Sequence, residues 1–449
     1  MDQTLLTKYD KPVPRYTSYP TAPHFSPDIG AVSYGEWLAG LGPDQPLSLY
    51  VHVPFCDTLC WFCGCHTRVV RRYDSIKSYM DTVAAEAGLV AAALTGRHRL
   101  AHLHFGGGSP SILRPAQIAA FAGHIRRLFD VEDGFEFAVE IDPRDIDEQA
   151  IRAWADAGAT RASIGVQDFD PLVQAAINRI QSFAQTEACV ALLRAAGIAA
   201  INIDLIYGLP HQTVATARAT AGQVAALRPN RVAIFGYAHV PWMKPHQRLL
   251  PEAALPGAPE RLAQAEAAAA ALADAGYVRV GLDHFALPED EMARAAGAGR
   301  LARNFQGYTT DAAPVLIGLG ASSIGTLPQG YVQNEIDLRR YTTAIQQGRL
   351  ATARGIAVSP EDKVRRTIIE RLMCDMEADV AEVCANQNLP VSDFAAEFEQ
   401  LTGAAADGLV ELAPPRIRIT EQGRPFLRTV CAVFDSYLPA NKARHSRGL

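Results

Sequence analysis

The hydrophobic pattern changes character along the chain. Through about residue 46 it is punctuated rather than periodic. Pro12, Pro14, Pro20 and Pro23 each fix φ and remove a backbone donor, so the stretch holding them is neither a helix nor a central strand. Residues 1–46 read as an irregular N-terminal arm. From Leu47 short apolar runs alternate with amphipathic segments. LSLYVHVP (47–54), LAHLHFGGG (100–108), EFAVEIDP (136–143), RASIGVQ (161–167), AINIDLIYGLP (200–210) and RVAIFGYAHV (231–240) have strand character. The Ala-rich stretches between them, such as PAQIAAFAGHIRRLF, carry apolar residues at helical spacing.

Strand, helix, strand, repeated six times, predicts parallel strands joined by right-handed crossovers. Six units fall short of the eight that close a barrel, so the expectation is an α/β chain with a partial (β/α)6 barrel. A doubly wound open sheet is the runner-up. Both architectures gather their chemistry at the C-terminal strand ends. After about residue 250 the alternation fades into a helical stretch, a Gly-rich segment (VLIGLGASSIGT) that reads as turns, and a helix near 335–347. Helices at 360–375 and 391–401, the strands LVEL and RIRIT, and a last helix predict a mainly helical, winged-helix-like C-terminal unit. The expected spans are 1–46, 47–355 and 356–449.

Composition narrows the class. Of 449 residues 49% are hydrophobic and 20% charged, as in ordinary globular proteins. A net charge of −6 and the lack of a basic stripe argue against a nucleic-acid partner. No run of about 18 apolar residues is present, so no membrane span is expected. The opening MDQTLLTKYDKPVPRY lacks a signal peptide's apolar core. Together these point to a cytoplasmic protein.

Cys56, Cys60, Cys63 and Cys65 fall within ten residues, whereas Cys189, Cys374, Cys384 and Cys431 are scattered, which is no secreted disulfide framework. The cluster forms C-x3-C-x2-C-x-C just after the first strand. Thiolates suit soft centres, leaving iron–sulfur and zinc as candidates, although zinc usually takes two separated pairs. GGGSP (106–110) follows the second strand, where glycines let a ligand approach the backbone. Glu140 and Asp142, Gln167 and Asp168, and Asn202 and Asp204 punctuate three consecutive strand ends, where alternation aims side chains into one mouth. Arg179 either sits on a helix surface or reaches a ligand carboxylate.

The C-x3-C-x2-C spacing resembles the signature of the radical S-adenosylmethionine (SAM) superfamily. With PRYTSYPTA (14–22), YVHVPFCDTLCWFCGC (50–65), EIDPR (140–144), GVQDFD (165–170), NRIQ (178–181), YAH (237–239) and NFQGYTT (304–310), the chain resembles oxygen-independent coproporphyrinogen III oxidases. The arm and the fourth cysteine are not shared by radical SAM enzymes at large. The resemblance implies a radical SAM partial barrel with a 4Fe–4S cluster and two SAM molecules per chain. It implies oxidative decarboxylation of the ring A and B propionates of coproporphyrinogen III to the vinyl groups of protoporphyrinogen IX, in haem biosynthesis. By motif, Cys56, Cys60 and Cys63 hold the cluster, and Cys65 stays off it yet serves turnover. Tyr50, Gly107, Glu140 and Ile324 contact the SAM at the cluster. Phe62, Gly108, Ser109, Gln167, Arg179, Asp204 and Ala238 contact the second SAM. Ser109 stands where the family often has Thr, and the hydroxyl is retained. The family further implies a monomer and a low-potential donor such as flavodoxin or ferredoxin. Arg15, Arg71 and Arg72 flank the motifs and are candidates to meet the substrate's propionates.

Overall fold

The computed structural model describes residues 3–438 together with His445, Ser446 and Gly448; the outermost residues of the 1–46 and 356–449 spans lie outside these. The six expected strands are present as β1 (Leu47–Val53), β2 (Arg99–Gly107), β3 (Asp130–Ile141), β4 (Arg161–Gln167), β5 (Ala200–Tyr207) and β6 (Arg231–Gly236). They pair in parallel in that order. The partial barrel is longer than six strands. Strands β7 (Val278–Val280) and β8 (His284–Ala286) extend it beyond β6, and β9 (Val315–Leu319), β10 (Ile324–Leu327), β11 (Gly330–Asn334) and β12 (Thr352–Ala357) extend it beyond β1. The whole is one 12-stranded mixed sheet in the order β12-β11-β10-β9-β1-β2-β3-β4-β5-β6-β8-β7. The reading of VLIGLGASSIGT as turns alone is therefore corrected: β9 is a seventh parallel strand, paired with β1. It is buried along its whole length, so it lacks the alternation that marks a half-exposed strand.

The two faces of the parallel sheet differ. On β4 and β5, Ala162, Ile164, Val166, Ile201, Ile203 and Leu205 are buried beneath the outer helices, while Ser163, Gln167, Asn202 and Asp204 alternate with them on the concave face. The helix Glu148–Asp156 shows how the outer layer is fixed. Asp147 caps it by accepting the Ala150 N–H at 2.8 Å, and Trp154 then packs its ring 5.0 Å from Phe105 and 5.9 Å from Phe137.

In the N-terminal arm the proline stretch is irregular apart from a single turn at Ala22–His24, but helices Gln3–Tyr9 and Ala31–Ala39 flank it, correcting the view that the first 45 residues lack regular structure. Leu5, Leu6, Tyr16 and Tyr19 join a second core with Ile368, Leu372, Phe394 and Leu427. That C-terminal core lies among helices Pro360–Asp375, Val380–Ala385 and Ala395–Ala406 and a three-stranded sheet (Glu377–Asp379, Val410–Ala413, Arg416–Ile419) with the last strand central. The helix Val380–Ala385 and the strand Glu377–Asp379 add to the expected elements.

Candidate active site

The four clustered cysteines sit on the loop leaving β1, and this loop is held chiefly by its own backbone. Trp61 N–H donates to the Ile177 carbonyl at 3.0 Å, and Asn178 Nδ2 donates to the Leu59 carbonyl at 2.8 Å. From the far side of the mouth, Gln247 Nε2, His246 Nε2 and Lys244 Nζ donate to the carbonyls of Phe62, Cys63 and Cys65 at 2.8–2.9 Å. The sulfurs are thus left for other work. All eight cysteines are free thiols. Cys60 Sγ has two guanidinium neighbours, Arg144 and Arg179, each at 3.5 Å. The Cys65 thiol and N–H both donate to the Cys63 sulfur, which holds Cys63 below the usual thiol range and pushes Cys65 above it.

Cys56, Cys60, Cys63 and Cys65 line a cavity of about 190 Å3 with Phe62, Gly107, Gly108, Ser109, Glu140, Gln167, Arg179 and Asp204. Five strands or the turns after them supply these groups. Gly108 crosses the β1 loop so closely that a Cβ would stand 2.5 Å from the Phe55 carbonyl oxygen, and Gly107 has φ +113, in the left-handed region. Gly107 N–H donates to Glu140 Oε2 at 3.0 Å, and His104 Nε2 stands 3.2 Å from Glu140 Oε1. A bulge between Gly165 and Gln167, with Gln167 at φ +70, sets that side chain at the cavity wall. Asp204 takes hydrogen bonds from Ser163 Oγ at 3.0 Å and Asn202 Nδ2 at 2.8 Å. Among the described residues no guanidinium or ammonium pairs with it, and burial raises its carboxyl above the usual range.

Arg179 is buried, at 6% exposure, so it is not a surface helix residue. It donates to the Gly165 carbonyl at 2.6 Å and to Asp142 at 3.1 Å, while its Nε has no partner. Burial would raise Asp142, but Arg144 and Arg179 more than offset it and hold this carboxyl low.

Three expected site residues stand outside this cavity lining. Tyr50 lies on the concave face one layer down, its hydroxyl 3.0 Å from His52 Nδ1. Ile324 opens β10, its backbone against Gly318, which pairs with Tyr50. Ala238 follows β6, and its carbonyl accepts from Gln247 at 3.2 Å. Asp168 points away from the mouth, accepting from Gln212 and from Asp170 N–H at 2.6 Å each; burial raises it to about 6. Arg15 donates to the Gly236 carbonyl at 2.7 Å, whereas Arg71 and Arg72 are exposed. Arg144, Thr67 (its hydroxyl 3.3 Å from Cys56 Sγ), Lys244, His246 and Gln247 were not singled out from sequence. Arg144 could have been, since it stands inside EIDPR; the other four carry no local signal.

A buried donor without a hydrogen-bond partner, a half-buried carboxylate with no guanidinium or ammonium beside it among the described residues, and thiols beside two guanidiniums together fit an anionic iron–sulfur group and a zwitterionic, cationic ligand. Residues 50–224 match the family model described as Radical SAM superfamily, and residues 358–426 match one described as HemN C-terminal domain. An oxygen-independent coproporphyrinogen III oxidase of Bradyrhizobium diazoefficiens is 50% identical over 97% of both chains. The chain belongs to the oxygen-independent coproporphyrinogen III oxidase family. The Escherichia coli relative of that name is 40% identical over 99% of this chain and 96% of its own. The solved coproporphyrinogen III oxidase (HemN) of Escherichia coli, described as a radical SAM enzyme, superposes with a TM-score of 0.90 at 38% identity over 97% of this chain and 99% of that one. Members of the radical SAM superfamily work with a 4Fe–4S cluster and SAM. Among the described residues no helix is long and apolar enough to cross a membrane.

Proposed function

We propose that this enzyme converts the ring A and B propionates of coproporphyrinogen III to vinyl groups, yielding protoporphyrinogen IX. The carrying observation is the single cavity where Cys56, Cys60 and Cys63 meet Glu140, Arg179 and Asp204, in a chain sharing half its residues with a coproporphyrinogen III oxidase. A 4Fe–4S cluster with SAM supplies one-electron cleavage of SAM and a radical able to abstract hydrogen. Each propionate loses one hydrogen atom from its β-carbon, then CO2, and passes one electron to an acceptor, leaving the vinyl double bond.

The residues divide this work. Cys56, Cys60 and Cys63 hold the cluster, and the Arg144 and Arg179 guanidiniums offset negative charge at Cys60. Tyr50, Gly107, Glu140 and Ile324 serve the SAM at the cluster, and the glycine lets a ligand reach the backbone beside the Glu140 carboxylate. Phe62, Gly108, Ser109, Gln167, Arg179, Asp204 and Ala238 serve a second SAM. The unpaired Arg179 Nε suits its carboxylate, and Asp204 suits its ammonium or sulfonium. Cys65 acts beside the cluster rather than on it.

The test is anaerobic turnover of cluster-loaded protein with coproporphyrinogen III, SAM and a low-potential donor. Protoporphyrinogen IX is expected, with two 5′-deoxyadenosines released per product. No product from protein that demonstrably binds cluster and SAM would overturn the proposal.

A further inference from the structure

A second cavity, of about 480 Å3, lies lower on the same concave face. Its wall includes Leu316 and Thr326, which pair with one another, and Leu316 also pairs with Ser48, two residues before Tyr50. Two strand residues span roughly 6.6 Å, so this cavity opens one layer below Tyr50, which is itself one layer below the upper site. Its rim residue Asp311 stands 3.6 Å from His102, which lies two residues before His104, the neighbour of Glu140. One wall thus serves both cavities.

The remaining lining comes from segments without a part in the cysteine site. Tyr16 and Tyr19 belong to PRYTSYPTA, Asn304 and Phe305 to NFQGYTT, and Lys363 and Arg366 to the helix Pro360–Asp375. Both of the first two motifs lie outside residues 50–224, the stretch that matches the radical SAM model. The charges are unequal in their commitments. Glu370 accepts the Arg303 N–H at 3.1 Å, and Asp311 accepts the Ala313 N–H at 2.9 Å beside His102. Lys363 and Arg366, three residues apart on one helical face and half-buried, have no carboxylate within 4.0 Å among the described residues. Arg366 meets the Tyr331 hydroxyl. Arg303 is tied to the Tyr16 carbonyl at 3.0 Å, yet its Nη1 is buried without a partner. The lining also includes apolar side chains, Phe305 and Leu316 from the sheet side and Ile369 from the same helix as the cations. The volume falls within the roughly 300–1,000 Å3 of small-molecule sites. Such a site fits an amphipathic ligand with an anionic edge.

We propose that this lower cavity receives a carboxylate-bearing edge of the tetrapyrrole, with Lys363 and Arg366 as the propionate anchors and Arg303 beside them. The inference rests on the substrate reading above and assigns a place to it. Anchoring one edge here directs the opposite edge up the shared wall toward Glu140 and the cysteines. It also gives the C-terminal unit a share in substrate binding.

The test is fluorescence titration of cluster-loaded enzyme with coproporphyrin III, the stable oxidised tetracarboxylate, and with its tetramethyl ester. In the variant K363Q/R366Q the acid is expected to bind about tenfold more weakly or worse, ~1.4 kcal/mol, while the ester binds parent and variant alike. In turnover KM rises by a similar factor and kcat is kept. K363Q alone, whose ammonium holds nothing in the fold, guards against loss of folding and is expected to show a smaller loss in the same direction. Equal affinity for the acid in parent and variant, at matching cluster content, overturns the anchors. A parent that converts no coproporphyrinogen overturns the substrate reading instead, so the two failures are distinguishable.

Discussion

Within the parallel sheet Glu136, His104, Glu140, Arg161 and Asp204 face inward, whereas the C-terminal unit fills its interior with Ile368, Ile369, Leu372 and Phe394. The first is lined with polar side chains around its cavities, and the second is packed mainly with apolar ones. In the barrel, polar groups are partnered where possible, as in Arg161–Glu136 at 2.8 Å and Arg231–Asp290 at 2.7 Å. Some donors, such as Arg161 Nη1 and Arg179 Nε, are left without one. A buried polar group without a partner destabilises a fold, so the barrel holds its site at the expense of stability that the outer helices and the second core restore.

Substitutions can break this contrast. The largest effect is expected for Cys60→Ser, which should abolish both the brown cluster absorbance and product formation while leaving the thermal unfolding of the metal-free protein nearly unchanged. Leu372→Ala should do the reverse. A fully buried leucine truncated in a packed core loses about 2–5 kcal/mol, read as a lower unfolding midpoint, and SAM affinity of the folded protein should stay as it was.

Asp204→Asn sharpens the contrast because function and stability should move in opposite directions. Its folded carboxyl is raised by burial, so its contribution to stability is present below the unfolded value near 3.8 and is lost as pH rises through the folded value. The metal-free D204N protein should therefore be the more stable at pH 8, with the gap closing toward pH 4, while SAM binding weakens by about tenfold. Denaturant titrations across pH, beside SAM titrations of the loaded enzyme, check both halves. The smallest effect belongs to Glu361→Ala, which removes a partly exposed i,i+4 partner of Arg365. About 0.5 kcal/mol or less is expected, since Glu397 still holds that arginine at 2.8 Å.

The six barrel strands were legible because each alternates or ends on a polar residue, and the cysteine spacing was legible because thiols crowded into one loop have few other uses. Strand β9 was not, because burial on both faces erases alternation. The helices Gln3–Tyr9 and Ala31–Ala39 were hidden by the prolines between them. Arg179 was legible only as a choice between surface and ligand, since its burial depends on Asp142 and Gly165, contacts from two other strands. Lys244, His246 and Gln247 were invisible because they act on carbonyls, and a carbonyl has no signature in a sequence. The lower cavity was equally hidden: its walls come from three distant segments that only the fold brings together.

Three donors grip the cysteine loop from the far side of the mouth, and they lie 179 to 185 residues further along the chain than the carbonyls they hold. During synthesis the thiols therefore leave the ribosome long before the segment that shapes them. Until that segment arrives the loop lacks this outer clasp and has its inner contacts to Ile177 and Asn178. The loop therefore takes its full shape only once a segment made much later has folded against it.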